Sequence, residues 1–336
     1  MSVAKRSWKV NLADAAAYGV LRLVVAVIQT LPLDMGDRAC RWLAAIAGGK
    51  LRVRRRTFDG NVEKVFPDAS DASRQRLCRE MWHSLFLMAM EIAWADRRLH
   101  RCNWSEHFAF GDNREMLSLL LSDRPCISVS GHFGNFEVAG YVTGLMGLRT
   151  LAIARTLDNP FLDRWVKRFR EAKGQFIVDK SGCATTVDRH LQNGGILAML
   201  ADQHAGNRGV WQPFMGVPAS CHKALALFVL GGKVPMAVVN TRRIGGRPMR
   251  LQTCVDGILD PGKDPEHPAL ESVDTLTRWY NDRLAEGVAV AVEQYWWLHR
   301  RWRSPPRRIL KKLAKQQARA KSASESAASG STAAAA

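Results

Sequence analysis

A short apolar run ends in a glycine-containing turn at residues 126–137, which read CISVSGHFGNFE. The apolar part, from Cys126 to Val129, has the length of a strand buried in a sheet. Helix-like spacing follows from about Gly134 to Met146. The pattern therefore predicts a strand that turns directly into a helix, and ligands bind outside such strand ends in open α/β sheets.

Short apolar runs and helical segments alternate along the rest of the chain. Further strands are predicted at residues 151–154, 196–200 and 234–239. Further helices are predicted at residues 72–99, 159–173, 184–193 and 220–230. This alternation predicts an α/β fold whose central sheet is mostly parallel or mixed and is covered by helices.

The N-terminal segment combines basic residues with an apolar run at residues 15–31. Arg22 interrupts the run, no small-x-small cleavage site follows it, and the run is short for a spanning helix. We interpret it as an uncleaved helix that lies in or dips into a membrane; the alternative is an ordinary buried helix. The chain is therefore predicted to consist of three regions. They are a membrane-associated segment (1–34), a catalytic domain (35–305), and a basic, then Ala/Ser-rich, disordered tail (306–336).

The chain carries a net charge of +18, with a pI of about 10.1. This charge predicts an acidic partner, which is a nucleic acid, an anionic membrane, a phosphorylated substrate or an acidic protein. Nucleic-acid-binding signatures are missing from the sequence, and the basic residues cluster near the apolar N-terminus and in the tail, as expected for lipid headgroups. The seven cysteines are scattered singly, without zinc-site spacing, so we expect free thiols and no metal.

His132 and Glu137 are the candidate catalytic pair. On one helix, residues five apart point away from each other, so the two side chains meet only if His132 lies in the turn before the helix. Glu137 would then hold one imidazole nitrogen and leave the other free as a base. The alternative is that His132 caps the helix and Glu137 pairs with a surface cation.

Several segments resemble the late, Kdo-dependent lipid A biosynthesis acyltransferases of bacteria, in the lysophospholipid acyltransferase superfamily. The resemblance rests on blocks in the same order: Asn61 through Phe66-Pro67, the HxxxxE element His132 to Glu137, Asp158-Asn159-Pro160-Phe161-Leu162-Asp163 with Arg170, Asp202-Gln203-His204 with Gly209 and Pro213-Phe214-Met215-Gly216, and Gln294-Tyr295-Trp296-Trp297-Leu298-His299-Arg300-Arg301-Trp302. It covers residues 10–305 and implies a glycerolipid acyltransferase-like fold.

The resemblance implies an O-acyltransferase without a cofactor, acting in lipopolysaccharide biosynthesis. A fatty acyl thioester, on acyl carrier protein or coenzyme A, would be attacked by a hydroxyl of an anionic lipid at the cytoplasmic face of the inner membrane. His132 would take the hydroxyl proton and Glu137 would orient His132. By the same resemblance, Arg170 and Asp202 are substrate-binding residues, and we add Asn135 and Arg155 to them.

Two departures leave the acyl acceptor open. His204 stands where the family has an acidic residue, and residues 287–293 lack the expected proline. A related enzyme that acylates a lysophospholipid, another glycolipid or an aminolipid is therefore an alternative. A basic membrane- or nucleic-acid-binding protein without activity is the alternative from another class.

Overall fold

The computed structural model describes residues 8–111 and 113–311, and within these a seven-stranded sheet forms the centre. Its strands are β1 (Phe108–Phe110), β2 (Cys126–Ser130), β3 (Thr150–Ala154), β4 (Gln175–Asp179), β5 (Ile196–Leu200), β8 (Met236–Arg243) and β9 (Leu251–Leu259). They lie in the order β1-β9-β8-β2-β5-β3-β4, and all neighbours are parallel except β8 and β9. The predicted α/β fold with a mostly parallel, mixed sheet is confirmed.

A two-stranded hairpin stands beside this sheet. It consists of β6 (Val210–Phe214) and β7 (Val217–Cys221), joined by Met215 and Gly216. Both turn residues have positive φ, 51° and 78°, which matches the tight turn that suits the twist of a hairpin. The helix predicted from residue 220 is therefore wrong at its start, because Ser220 is in β7 and pairs with Trp211.

Helices cover the sheet. They are α1 (Trp8–Thr30), α2 (Leu33–Ala44), α3 (Arg55–Val65), α4 (Asp71–Arg98), α5 (Trp104–His107), α6 (Arg114–Leu120), α7 (Phe136–Leu145), α8 (Pro160–Glu171), α9 (Ala184–Gln192), α10 (Ala224–Gly232) and α11 (Val273–Ala289). A π-helical turn (Ala45–Lys50) follows α2, and two 3-10 turns (Pro268–Leu270 and Val292–Gln294) flank α11.

Two hydrophobic clusters form most of the core. The larger one packs strand side chains such as Ile127 and Val238 against α9, α10, α11 and the aromatic residues near residue 297. The second packs Trp94 of α4 against Tyr141 of α7. Together the clusters bury the strand-to-helix junction between β2 and α7 from both sides.

Helix α1 packs on the domain along one side and exposes apolar side chains on the other. Its inner contacts run from the Asp14 carbonyl, which accepts from Asn159 Nδ2 at 3.0 Å, to Gln29, whose Nε2 donates to the Ala93 carbonyl at 2.9 Å. Fifteen residues of helix span about 22 Å. Residues Val10–Thr30 are long and apolar enough to cross a membrane by length and composition. The contacts leave only the outer face of α1 free.

The tail prediction concerns mostly residues outside the described part of the chain. Residues 312–336 fall there, so the predicted disorder of the Ala/Ser-rich segment stays a prediction. Residues 307–311 are helical at the end of the described chain.

The outer face of α1 is predicted to bind the membrane. Val20, Leu23 and Val27 are 64%, 67% and 53% exposed, so changing all three to Ser removes apolar surface without disturbing the inner contacts. At roughly 0.8 kcal/mol per buried CH₂ group, vesicle binding should weaken by more than about tenfold. Leu121→Ser, at a 77% exposed position after α6, is the matched control and should stay bound. Vesicle sedimentation measures both, and unchanged binding of the triple variant would place the anchor elsewhere.

Candidate active site

The junction between β2 and α7 is a tight turn in which position 134 accepts only glycine. Gly134 has a φ of +56°, and a Cβ there would lie 1.8 Å from the carbonyl oxygen of Thr241. Asn135 caps α7, because its Oδ1 accepts from the Val138 amide at 3.0 Å. The backbone of the turn is thus pressed directly against the end of β8.

A buried carboxylate anchors this turn from behind. Glu91 of α4 is fully buried and accepts two hydrogen bonds from Arg243, each 2.8 Å long. It also accepts one from Asn135 Nδ2 at 2.8 Å and one from the Met249 amide at 3.0 Å. Four donors satisfy the charge, as a buried carboxylate requires. The Gln294 side chain then closes the network with two hydrogen bonds to the backbone of Arg243.

His132 lies in front of the turn and is bound by Asp202. The distance from His132 Nδ1 to Asp202 Oδ1 is 2.7 Å, and the His132 amide donates to Asp202 Oδ2 at 2.9 Å. The two residues meet because Ser130 of β2 is in register with Leu200 of β5, so each lies two residues beyond a paired strand end. Burial works to raise the pKa of the Asp202 carboxyl, but the adjacent His132 and its hydrogen bonds hold that pKa far below its usual value.

The expected contact between Glu137 and His132 is replaced by an ion pair. Glu137, in the first turn of α7, accepts a two-pronged contact from Arg170 of α8, with Nε at 2.9 Å from Oε2. Burial works to lower the pKa of Arg170, but the Glu137 carboxylate outweighs it and raises that pKa. Glu137 thus pairs with a cation, as the alternative interpretation held, while Asp202 takes the place expected for Glu137 beside the imidazole.

Asn135 and Arg155 occupy very different surroundings. Asn135 is fully buried, and both ends of its amide are used, one by Val138 and one by Glu91. Its expected contact with substrate is therefore wrong, because no part of its side chain is open to a ligand. Arg155 follows β3 and is 81% exposed, with one ion pair to Asp158 at 3.1 Å. The contact of Arg155 with substrate remains a prediction.

Arg301 fixes the backbone that carries Asp202. It is fully buried and donates from Nη1 to the carbonyl oxygens of Gln203 and Ser220, both at 2.8 Å. Its Nη2 donates to Asn281 Oδ1 at 3.0 Å. The strand end after β5 is therefore tied to the hairpin and to α11 by one guanidinium group, whose planar fork suits several acceptors at once.

The C-terminal aromatic segment completes the site. Its backbone pairs with the turn: the Trp296 amide donates to the His132 carbonyl at 3.0 Å, and the Gly134 amide donates to the Gln294 carbonyl at 3.0 Å. The rings of Trp296 and His299 contact the His132 ring, with centroids 5.6 and 4.6 Å away. Trp297 is fully buried in the core, where it is a packing residue.

One group of side chains in the site has ligand atoms close enough for a metal ion. His132, Asp202 and His299 each offer one such atom, all within 4.8 Å of one another. The hydrogen bond between His132 Nδ1 and Asp202 already uses two of the donor atoms of this group. The arrangement as it stands is therefore that of an imidazole base with an orienting carboxylate.

An open cavity lies away from this chemistry. It has a volume of about 460 Å³ and is lined by residues at the amino ends of β3, β4 and β5, including Leu151, Phe176 and Ile196. His132 and Asp202 follow the carboxyl ends of the parallel strands β2 and β5, at the opposite edge of the sheet. The cavity therefore contributes nothing to the site around His132.

Sequence reasoning missed Glu91, Arg243 and the orienting role of Asp202. Glu91 occurs inside an apolar helical segment, and a charged residue there signals a buried pair. Its partner Arg243 is 152 residues away, so spacing could not identify it. The signal for Asp202 was its place two residues after a predicted strand.

Comparisons with known proteins show the family to which the chain belongs. A sequence model described as bacterial lipid A biosynthesis acyltransferase matches residues 4–304. The lipid A biosynthesis lauroyltransferase of Escherichia coli is 25% identical over 310 residues, which are 90% of this chain and 93% of that protein. The lipid A biosynthesis palmitoleoyltransferase of Escherichia coli is 25% identical over 86% of this chain and 90% of its own length. A lipid A biosynthesis acyltransferase of Haemophilus influenzae is 20% identical over 73% of this chain and 76% of its own length. The chain, with its histidine in the turn between β2 and α7, belongs to the bacterial lipid A biosynthesis acyltransferase family.

Proposed function

We propose that this acyltransferase moves a fatty acyl group from an acyl carrier protein thioester to a hydroxyl of a lipid A precursor or related glycolipid. The observation that carries the proposal is the His132–Asp202 hydrogen bond at the carboxyl ends of two neighbouring parallel strands. An imidazole held by a carboxylate on Nδ1 keeps Nε2 as the base. The relatives named for lauroyl and palmitoleoyl transfer support a long acyl chain.

His132 is the general base in this proposal and Asp202 is its orienting partner. The side chain of His132 is 13% exposed and that of Asp202 is 1% exposed, so the base meets the substrate while its carboxylate stays dry. When His132 takes the hydroxyl proton, the charge of Asp202 stabilises the imidazolium. A carboxylate with a depressed pKa stays ionised across the working pH range.

Glu137 and Arg170 bind the acceptor in this proposal. Their ion pair is partly open to solvent, with 15% and 22% of the side chains exposed. Arg170 contacts Glu137 through Nε and Nη2, which leaves its Nη1 amino group for a phosphate of the acceptor. A guanidinium suits this role because its planar fork binds phosphate and carboxylate groups. Glu137 is thus placed as a positioning residue for Arg170.

The N-terminal helix places this site at a membrane in the proposal. The outer face of α1 is apolar, and two basic side chains are exposed on the domain, Arg54 near His299 and Arg303 near His204. Apolar area and positive charge together favour an anionic bilayer. The side of the inner membrane where thioesters are made is the cytoplasmic one, and we place the enzyme there.

The two carboxylates of the site are predicted to respond differently to amide substitution. His132→Ala should abolish transfer, and Asp202→Asn should lower kcat by about 10³-fold or more, because the wrong imidazole tautomer is then favoured. Glu137→Gln should act mainly on the KM of the acceptor. Steady-state transfer assays measure kcat and KM for each variant, and an unfolding temperature equal to that of wild type shows that the variant is folded. A large kcat loss in Glu137→Gln with a near-normal Asp202→Asn would return the orienting role to Glu137.

Arg170 is predicted to need its guanidinium fork. Arg170→Lys keeps the positive charge but loses the second hydrogen bond, so the acceptor KM should rise by about tenfold or more. Arg168→Lys, an exposed position on the same helix, is the matched control. Equal activity of Arg170→Lys and wild type would reduce Arg170 to a general positive charge.

The donor is predicted to dock on positive charge near the site. Acyl carrier protein is acidic, and salt at about 0.15 M screens charges beyond roughly 8 Å. In neutral detergent, rising salt should therefore raise the KM for carrier-protein thioesters more than the KM for coenzyme A thioesters.

The surface responsible for this effect can be tested directly. Changing Arg54 and Arg303 to Gln should flatten the salt dependence for the carrier-protein thioester and leave coenzyme A kinetics unchanged. The same salt dependence for both donors in wild type would contradict carrier-protein docking on this surface.

A further inference from the structure

Two buried nitrogen atoms beside His132 have no hydrogen-bond partner. They are Nε1 of Trp296 and Nε2 of His299. Within the described residues, these are the unpaired buried nitrogens whose rings contact the His132 ring. The two rings also contact each other, with centroids 5.1 Å apart. Each of the three rings therefore contacts the other two.

The chemistry of both nitrogens points to an acceptor atom that arrives from outside. An indole N–H only donates, so Trp296 needs an acceptor. A neutral imidazole carries one N–H, and burial with the nearby charges of His132 and Arg301 lowers the pKa of His299 to about 4, although Asp202 raises it. His299 is therefore neutral near pH 7 and able to donate. A buried donor without a partner lowers the stability of the folded protein, because its lost hydrogen bonds to water are not replaced. A ligand atom that accepts its hydrogen bond removes this penalty.

Hydrogen bonds fix the backbone that carries both rings before any substrate binds. The Trp296 amide donates to the His132 carbonyl, and Asn61 Nδ2 donates to the His299 carbonyl at 2.6 Å and to the Trp297 carbonyl at 2.8 Å. Asn61 itself is buried. Donors held in this way cost no reorganisation during the reaction.

We propose that Trp296 and His299 are further catalytic residues, which donate hydrogen bonds to the carbonyl oxygen of the acyl thioester and stabilise the oxyanion that forms on it. The inference rests on the proposed function. It adds two hydrogen-bond donors for the thioester carbonyl oxygen to the base formed by His132 and Asp202.

The step balances with the groups of the site. The acceptor oxygen forms a bond to the carbonyl carbon while its proton moves to His132 Nε2. The carbonyl electron pair shifts to oxygen, where Trp296 and His299 hold it. The electron pair on oxygen then re-forms the carbonyl double bond, and the carbon–sulfur bond breaks. The leaving thiolate takes the proton from His132. An ester and a free thiol result.

Single substitutions separate hydrogen bonding from packing. Trp296→Phe removes the N–H and keeps an aromatic ring, and it should lower kcat by about 10²–10³-fold with little change in donor KM. His299→Phe should lose kcat similarly, whereas His299→Gln should retain more activity because its amide can donate. Trp82→Phe is the matched control, since Trp82 Nε1 is also buried and unpaired but stacks on Phe86 away from His132.

A donor analogue supplies the second readout. A thioether analogue of the acyl donor has no carbonyl oxygen, so its inhibition constant should be the same for wild type, Trp296→Phe and His299→Phe. Weaker binding of this analogue to the variants would show a packing role and overturn the proposal. Activity of Trp296→Phe and His299→Phe equal to that of Trp82→Phe would overturn it as well.

Two controls keep the outcomes distinct. Wild type that consumes no thioester with any lipid acceptor would refute the proposed function itself, before the variants are compared. Chelator treatment of wild type should leave its rate unchanged. A loss with chelator that matches the loss in His299→Phe would assign His299 to a metal site with His132 and Asp202, and would overturn the oxyanion role.

Discussion

The buried carboxylate of Glu91 is the constraint on which the site depends. An unpaired charge in the interior costs several kcal/mol, so the four donors around Glu91 must all be in place. They come from Arg243 at the end of β8, from Asn135 in the turn and from the Met249 amide. Satisfying the charge of Glu91 thus joins α4, the turn at Asn135 and the segment 243–249, which are far apart in sequence, and it fixes the turn that carries His132.

The C-terminal segment gives the site its second boundary. Residues 294–302 return to the strand-to-helix junction, where Phe133 and Tyr295 form an isolated antiparallel bridge. Arg301 in the same segment holds the backbone beside Asp202. The base, its orienting carboxylate and the rings around them are therefore complete only when the end of the domain has folded onto its middle.

The two carboxylates near the turn serve different partners. Asp202 serves the imidazole of His132, and Glu137 serves the guanidinium of Arg170. Glu137 forms an ion pair with Arg170, whereas the hydrogen bond to Asp202 occupies Nδ1 of His132 and, in the proposed reaction, leaves Nε2 as the base. In the proposed reaction, proton transfer and acceptor binding are thereby assigned to separate pairs, one at the turn before α7 and one at the first turn of α7.

The observed strands and helices matched the predicted ones where the hydrophobic pattern of the sequence was clear. The strand at residues 196–200 was predicted at its observed bounds, and the α4 prediction at 72–99 differs by one residue at each end. Strand β4 and strand β9 were missed, because QFIVD and LQTCVDGIL mix polar residues into short runs without a clean alternation. The last two residues of β7, Ser220 and Cys221, were predicted as the start of a helix.

The sequence by itself determined the α/β class, the family and the place of His132, because each is written in a local pattern: an apolar strand, a glycine turn and a helix start. Only the tertiary structure decided which carboxylate binds His132. Glu137 is five residues away and Asp202 is seventy, yet β2 pairs with β5 and not with β3, the next strand along the chain. Side chains that follow parallel strands meet according to strand order and register, and both are set by the packing of the whole sheet.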